Sequence, residues 1–125
     1  MTPTPCRLSR PGIVSALGTG IETTRDGLMA GDTRGMVLEN GLLAHVPARV
    51  GRVTATLPEI PVNAKLAARS RNNRMLLAAI AQIADDIDAA VRRYGPHRIA
   101  IVLGTSTSGV AEGEAAIAGH TTSGV

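Results

Sequence analysis

Aromatic side chains are almost absent from this chain: its 125 residues include one tyrosine, Tyr94, and no phenylalanine or tryptophan. Aromatics ordinarily supply much of a core's buried area. Here Ala, Val, Ile and Leu must do that packing, and each fills less space, so the chain reads as part of a larger core. Cysteine is scarce as well. The single thiol, Cys6, excludes an intramolecular disulfide and a CxxC metal pair, and fits a reducing compartment. No stretch has the apolar length of a membrane span. Arg7 and Arg10 stand near the start, but no apolar run like that of a signal peptide follows them. One cytoplasmic domain at most is expected from this length and composition.

The charge that is present is modestly basic. The formal net charge is +3, and twelve of the thirteen cations are arginine. Basic chains raise the question of nucleic acid, but this charge is small, no stacking aromatics interleave it and no recognition motif accompanies it. Neither nucleic acid nor a membrane is expected as a partner; an acidic protein surface suits the charge better.

Along the chain, residues 1–7 read as a loose tail. Leu8 to Leu17 suggests a strand ending in a turn at Gly18, with Pro11 pointing to an edge or a bulge. Thr19 to Ala30 reads as a short helix, with Glu22 in its first turn and Gly31 just past its end. The Gly-rich stretch 31–47 predicts a loop, and Ala48 to Thr56 a short strand at best. From Ser70 to Tyr94, the apolar residues Leu76, Ile80, Ile83, Ile87 and Tyr94 fall on one helical stripe. Gly95-Pro96 ends it. The unbroken apolar run Ile99 to Leu103 then suits a strand covered on both faces. Together these predict an α/β fold containing a βαβ unit. Val110 to Ala118 predicts one more helix, stopped by Gly119. No closing element follows His120, as though the domain continued.

Candidate chemistry is sparse. Gly104 to Gly109 has the glycine spacing of a phosphate-binding loop, but Val110 and Ala111 stand where that motif needs Lys and Ser or Thr. It is not a nucleophile elbow either, because Ser108 occupies the second glycine position counted from Gly104. Its small residues serve either to let a strand-to-helix turn pack tightly or to line a cavity. His45, His97 and His120 are too far apart in sequence for metal-ligand spacing. Cys6 has no partnered base or helix N-terminus to activate it. Asp85, Asp86 and Asp88 read as a solvated helix face, and Glu112 and Glu114 as favourable charges near a helix start. Lys65, Arg69, Arg71 and Arg74 cluster just before the long apolar stripe, where cations are mildly unfavourable. They either solvate the helix start or meet an acidic partner. No cofactor or metal is implied.

Three segments, in order, resemble the N-terminal portion of a β-ketoacyl-acyl carrier protein synthase, a condensing enzyme of the thiolase-like superfamily. Gly12-Ile-Val-Ser-Ala-Leu-Gly18 is similar to the family's opening G-x-V-S-x-L-G. Ser70-Arg71-Asn72-Asn73-Arg74 is similar to its R-x-D-R helix start, with Asn73 where Asp is usual. Arg98 to Gly109 matches its R-I-x-x-x-x-G-x-x-x-x-G strand and loop. The resemblance runs from about residue 8 to 118. It implies the N-terminal part of an α-β-α-β-α layered fold and, for a complete enzyme, a homodimer. The complete enzyme would condense an acyl thioester with malonyl-carrier protein in fatty acid or polyketide biosynthesis. The family's Cys nucleophile and two histidines lie beyond the matched region, so no catalytic residue carries over and this chain alone should be inactive. Two features do carry over: Thr107 to the acyl pocket near the dimer interface, and Arg71, with Lys65 and Arg69, to the patch that docks the acidic acyl carrier protein. The alternative from the residues themselves is a non-catalytic α/β module that holds an acidic protein or a phosphate ligand.

Overall fold

In the computed structural model, which describes residues 6–43, 45–65, 69–105 and 110–123, the chain is mixed α/β. It opens on a two-residue hairpin, β1 (Val14–Ser15) with β2 (Gly18–Thr19), paired antiparallel. The Ser15 hydroxyl accepts the Leu17 amide at 3.2 Å and so shapes the turn. The expected strand over Leu8 to Leu17 shrinks to β1, because residues 6–13 form no ladder. Helix α1 (Ile21–Met29) follows, as the sequence suggested. Gly31, at φ 62°, ends it. Its amide bonds the Leu28 carbonyl at 3.1 Å, and the Asp32 amide bonds that of Gly27 at 2.8 Å, a Schellman closure that needs a left-handed residue at Gly31.

The stretch expected to be a loop is instead half of a second hairpin. β3 (Met36–Leu43) pairs antiparallel with β4 (Val46–Gly51), in register from Met36 opposite Gly51 to Leu43 opposite Val46. The register shifts between Glu39 and Leu43, where Gly41 has φ 104°. This bulge breaks the alternation by which a strand would be recognised. Glu39 on β3 forms an ion pair with Arg52 just beyond β4.

The single helix expected over Ser70 to Tyr94 is two: α2 (Arg71–Ala81) and α3 (Ala84–Tyr94). At the junction, the amides of Gln82 and Ile83 bond carbonyls three residues back, so the helix tightens and restarts. Gln82 stands at this junction and bonds a distant stretch of backbone. Its side-chain amide donates to the Ile13 carbonyl at 2.9 Å, and its Oε1 accepts the Ile13 amide at 3.1 Å. It thus pairs with the backbone before β1 as a neighbouring strand would. Gly12 permits the approach, since a Cβ there would overlap the Ala79 carbonyl oxygen.

A 3-10 turn, Pro96–Arg98, follows α3, and Ile99 to Thr105 forms no strand. Ile101, Val102 and Leu103 are exposed, Val102 at 90%. The βαβ unit is therefore not formed among the described residues, whose sheet pairings are all antiparallel. A strand is a strand only against a neighbour that takes up its amides and carbonyls. Helix α4 (Val110–Ser123) passes through Gly119 rather than stopping there. A glycine costs an exposed helix only about 1 kcal/mol relative to Ala.

Burial is thin. Leu57 is the one buried hydrophobic residue among those described, and Ser70 the one buried polar residue. The accessible surface is 10213 Å², whereas a compact protein of this mass would expose about 6,300 Å². Leu38, Leu42 and Leu43 on the second hairpin and Ile117 on α4 are all more than half exposed. No helix among the described residues is long and apolar enough to cross a membrane.

Candidate functional site

The start of α2 is where distant parts of the chain meet. Ser70 is its N-cap, with extended backbone and a hydroxyl that accepts the Asn73 amide at 3.2 Å. This is the helix start that the sequence placed there. Four arginine-bearing and acidic contacts then gather the connection 53–64 and α4 around it.

Arg74 reaches back to the turn before the helix. Its guanidinium donates to the Leu57 carbonyl at 3.1 Å, to that of Pro58 at 3.0 Å and to Glu59 at 2.6 Å. These bonds tether the backbone of Leu57 and Pro58 to α2, and Leu57 is buried. Arg71 donates to the Val53 carbonyl at 2.7 Å. Arg69 donates to the carbonyls of Val62 and Ala64, the latter at 3.0 Å. Lys65 is exposed on the same turn. The expected docking residues are all exposed, Lys65 and Arg69 ahead of α2 and Arg71 as its first residue. Sequence reasoning missed that the arginines also staple the connection 53–64 to the helix. Their planar, many-donor heads suit carbonyl-rich turns in a way a lysine would not. The disfavour for cations at a helix N-terminus is offset because a carboxylate arrives there too: Glu112, on the first turn of α4, accepts the Arg71 amide at 3.2 Å. The sequence assigned Glu112 to its own helix and gave no sign of this long-range contact.

Beside Glu112, the Thr105 hydroxyl donates to Asn72 Oδ1 at 2.6 Å. The Asn72 side-chain nitrogen is buried without a hydrogen-bond partner. Thr107, the residue matched to the acyl pocket, lies outside the described residues. A shallow cleft of about 260 Å³ opens next to Arg71, lined by Val50, Gly51, Arg52, Val53 and Met75. Cys6 is exposed. Among the described residues, no group of three or more His, Cys, Asp or Glu side chains is placed to hold a metal ion.

The strongest electrostatic perturbation lies elsewhere, just after α1. Asp32 accepts from the Arg34 guanidinium at 2.7 Å and from the Arg34 amide at 2.9 Å. The side-chain bonds first and the amide second lower its pKa from 3.8 to about 2. This pair orders the turn into β3 and has no part in the α2 site.

No protein-family model matches the chain, and the search of curated proteins gave no match.

Proposed function

We propose that this chain is the N-terminal scaffold segment of a β-ketoacyl-acyl carrier protein synthase-like enzyme. Its role would be to present a carrier-protein docking patch and one wall of the acyl pocket. The observation that carries the reading is the meeting of the three matched motifs, which are widely separated in sequence. Gly12 and Ile13 of the first motif pack on α2, the helix that the second motif opens, through Ala79 and Gln82. Thr105 of the third motif bonds Asn72 of the second. Such convergence is what motifs of one site require.

The thin burial supports the scaffold part of this reading. The exposed apolar run Ile99 to Leu103 and the outer face of the second hairpin are surfaces that a larger core would cover. In the complete enzyme, a Cys thiolate takes the acyl group from the carrier protein, and malonyl-carrier protein is then decarboxylated and attacks that thioester. This chain contributes no nucleophile and no histidine pair to those steps. Arg71, with Lys65 and Arg69, would meet the acidic carrier protein, and Thr107 would limit the acyl chain. Homodimerisation and a cytoplasmic location belong to the same proposal.

The experiment is titration of an isotopically labelled acyl carrier protein with the chain, at low and high salt. Salt-sensitive binding that maps to the acidic face of the carrier supports the reading, and absence of binding at low salt overturns it. In a parallel acyl-transfer assay, turnover through an acyl-Cys6 thioester would contradict the scaffold role, because the thiolate is the reactive species in such chemistry.

A further inference from the structure

The break between α2 and α3 has neither of the usual helix breakers behind it. From Arg71 to Tyr94 the chain holds no glycine and no proline. Without those residues, a sharp break in a helix comes from a side chain inserted into the backbone ladder. Gln82 keeps helical dihedrals, φ −69° and ψ −20°, and Ile83 leaves them, at φ −122° and ψ 13°. The two helices are therefore a short backbone rotation from continuity.

Gln82 supplies the inserted side chain. In an unbroken helix its backbone amide would bond the Ala78 carbonyl, four residues back. Here that amide bonds Ala79 at 3.2 Å, and the side-chain nitrogen of the same residue takes the Ala78 carbonyl at 3.1 Å. The same nitrogen donates to the Ile13 carbonyl at 2.9 Å, while Oε1 accepts the Ile13 amide at 3.1 Å. One side chain thus caps the end of α2 and grips the backbone before β1. Two forms compete on these terms. The broken form has the Gln82 bonds and the favourable charges of Asp85 and Asp86 in the first turn of α3. The straight form would give acceptors to the first amides of α3, whose start no side chain caps. It would also keep one apolar stripe, because Leu76, Ile80, Ile83 and Ile87 hold helical spacing across the junction. Packing adds little to either form, since neither helix has a buried residue. Gln82 and Ile83 line an open cleft of about 430 Å³ beside the start of α1, so water can replace the Gln82 bonds.

We propose that the junction at Gln82 and Ile83 is a two-state hinge, latched by the Gln82 side chain on the Ile13 backbone; with the latch released, residues 71–94 run as one helix. The seating of the first hairpin on α2 then sets the direction of α3 and of the Pro96–Arg98 turn that follows it. The hinge does not depend on the carrier-protein reading.

The test is backbone NMR and hydrogen exchange on the full 125-residue chain and its variants. Gln82→Ala removes the latch, and Gln82→Met removes it while keeping the length of the side chain. Both should move the Ile83 Cα shift to a helical value. Both should slow exchange at Ala84 to Asp86 about fivefold, the effect of gaining one ordinary hydrogen bond. The Ile13 amide, left without its acceptor, should exchange faster. The direction separates release of the hinge from loosening: a loosened chain would exchange faster at Ala84 to Asp86 and lose ellipticity at 222 nm, whereas straightening slows the first and strengthens the second. Gly12→Ala, which forces residue 12 off the Ala79 carbonyl with Gln82 intact, should straighten the junction in the same way. An Ile83 shift that stays non-helical in both Gln82 variants, or faster exchange at Ala84 to Asp86, overturns the hinge. Straightening in the Gln82 variants but not in Gly12→Ala overturns the first hairpin as the seat of the latch.

Discussion

Replacing Arg74 by methionine should destabilise the chain by about 2 kcal/mol, and nearly all of that loss should come from two carbonyl bonds rather than from the ion pair. Methionine keeps most of the apolar stem and removes every donor. The lost bonds run to Leu57 and Pro58. A hydrogen bond contributes about 0.5–1.5 kcal/mol net, and more where its acceptor is left buried and unpaired. The Leu57 carbonyl is of that kind, since its residue is 7% exposed. The third partner, Glu59, has a side chain that is 83% exposed. A pair of that exposure contributes a few tenths of a kcal/mol at most. Glu59→Gln should therefore cost less than about 0.5 kcal/mol, and Arg74→Met should cost several times as much. The assay is urea unfolding of the two variants followed by circular dichroism at 222 nm. Equal losses from the two substitutions, or a loss below about 0.5 kcal/mol for Arg74→Met, would refute the claim that Arg74 staples the turn before α2.

Two further outcomes follow from the geometry. Gly12→Ala should destabilise the docking of the first hairpin on α2 by about 1–3 kcal/mol, because the added methyl meets the Ala79 carbonyl and the backbone must part; urea unfolding checks it, and an unchanged midpoint would contradict the close approach. Asp32 should titrate with a midpoint of about 2, and Arg34→Ala should return it most of the way to 3.8, the retained amide bond keeping the rest. Because the folded-state pKa is the lower one, the stabilisation from this carboxylate is complete above the ordinary value and is lost as pH falls from about 4 through 2. Carbon-detected NMR of the side-chain carboxyl reads this directly, and a midpoint near 3.8 in the unaltered chain would contradict the pairing.

Local signals were legible in the sequence where local physics decides the structure. The acidic first turn of α1 and Gly31 beyond its end, and the apolar stripe of α2, each depend on residues a few positions apart. The break at Gln82 was hidden, because Ile80, Ile83 and Ile87 keep their stripe across it while Gln82 is drawn to Ile13, 69 residues away. β3 was hidden by the Asn40-Gly41 bulge inside it, which breaks the period of two. The run Ile99 to Leu103 has strand composition but no partner among the described residues, and composition cannot supply one. The basic cluster was legible as a cluster, yet the carbonyls that its arginines bind belong to Val53, Leu57, Pro58, Val62 and Ala64. Main-chain acceptors leave no mark on residue identity, so a staple and a docking patch read alike.

The most direct test of the account is the affinity of acyl carrier protein for the chain and for two charge reversals of equal size, Arg71→Glu and Arg92→Glu. Arg92 lies on the last turn of α3, a different helix from the one that Arg71 opens. Exposed charges of this kind govern association and its salt dependence. Arg71→Glu should weaken binding about three- to tenfold and flatten its dependence on ionic strength, while Arg92→Glu leaves both nearly unchanged. Equal effects from the two reversals, or carrier binding indifferent to both, would contradict a docking patch at the start of α2 and with it the proposed function.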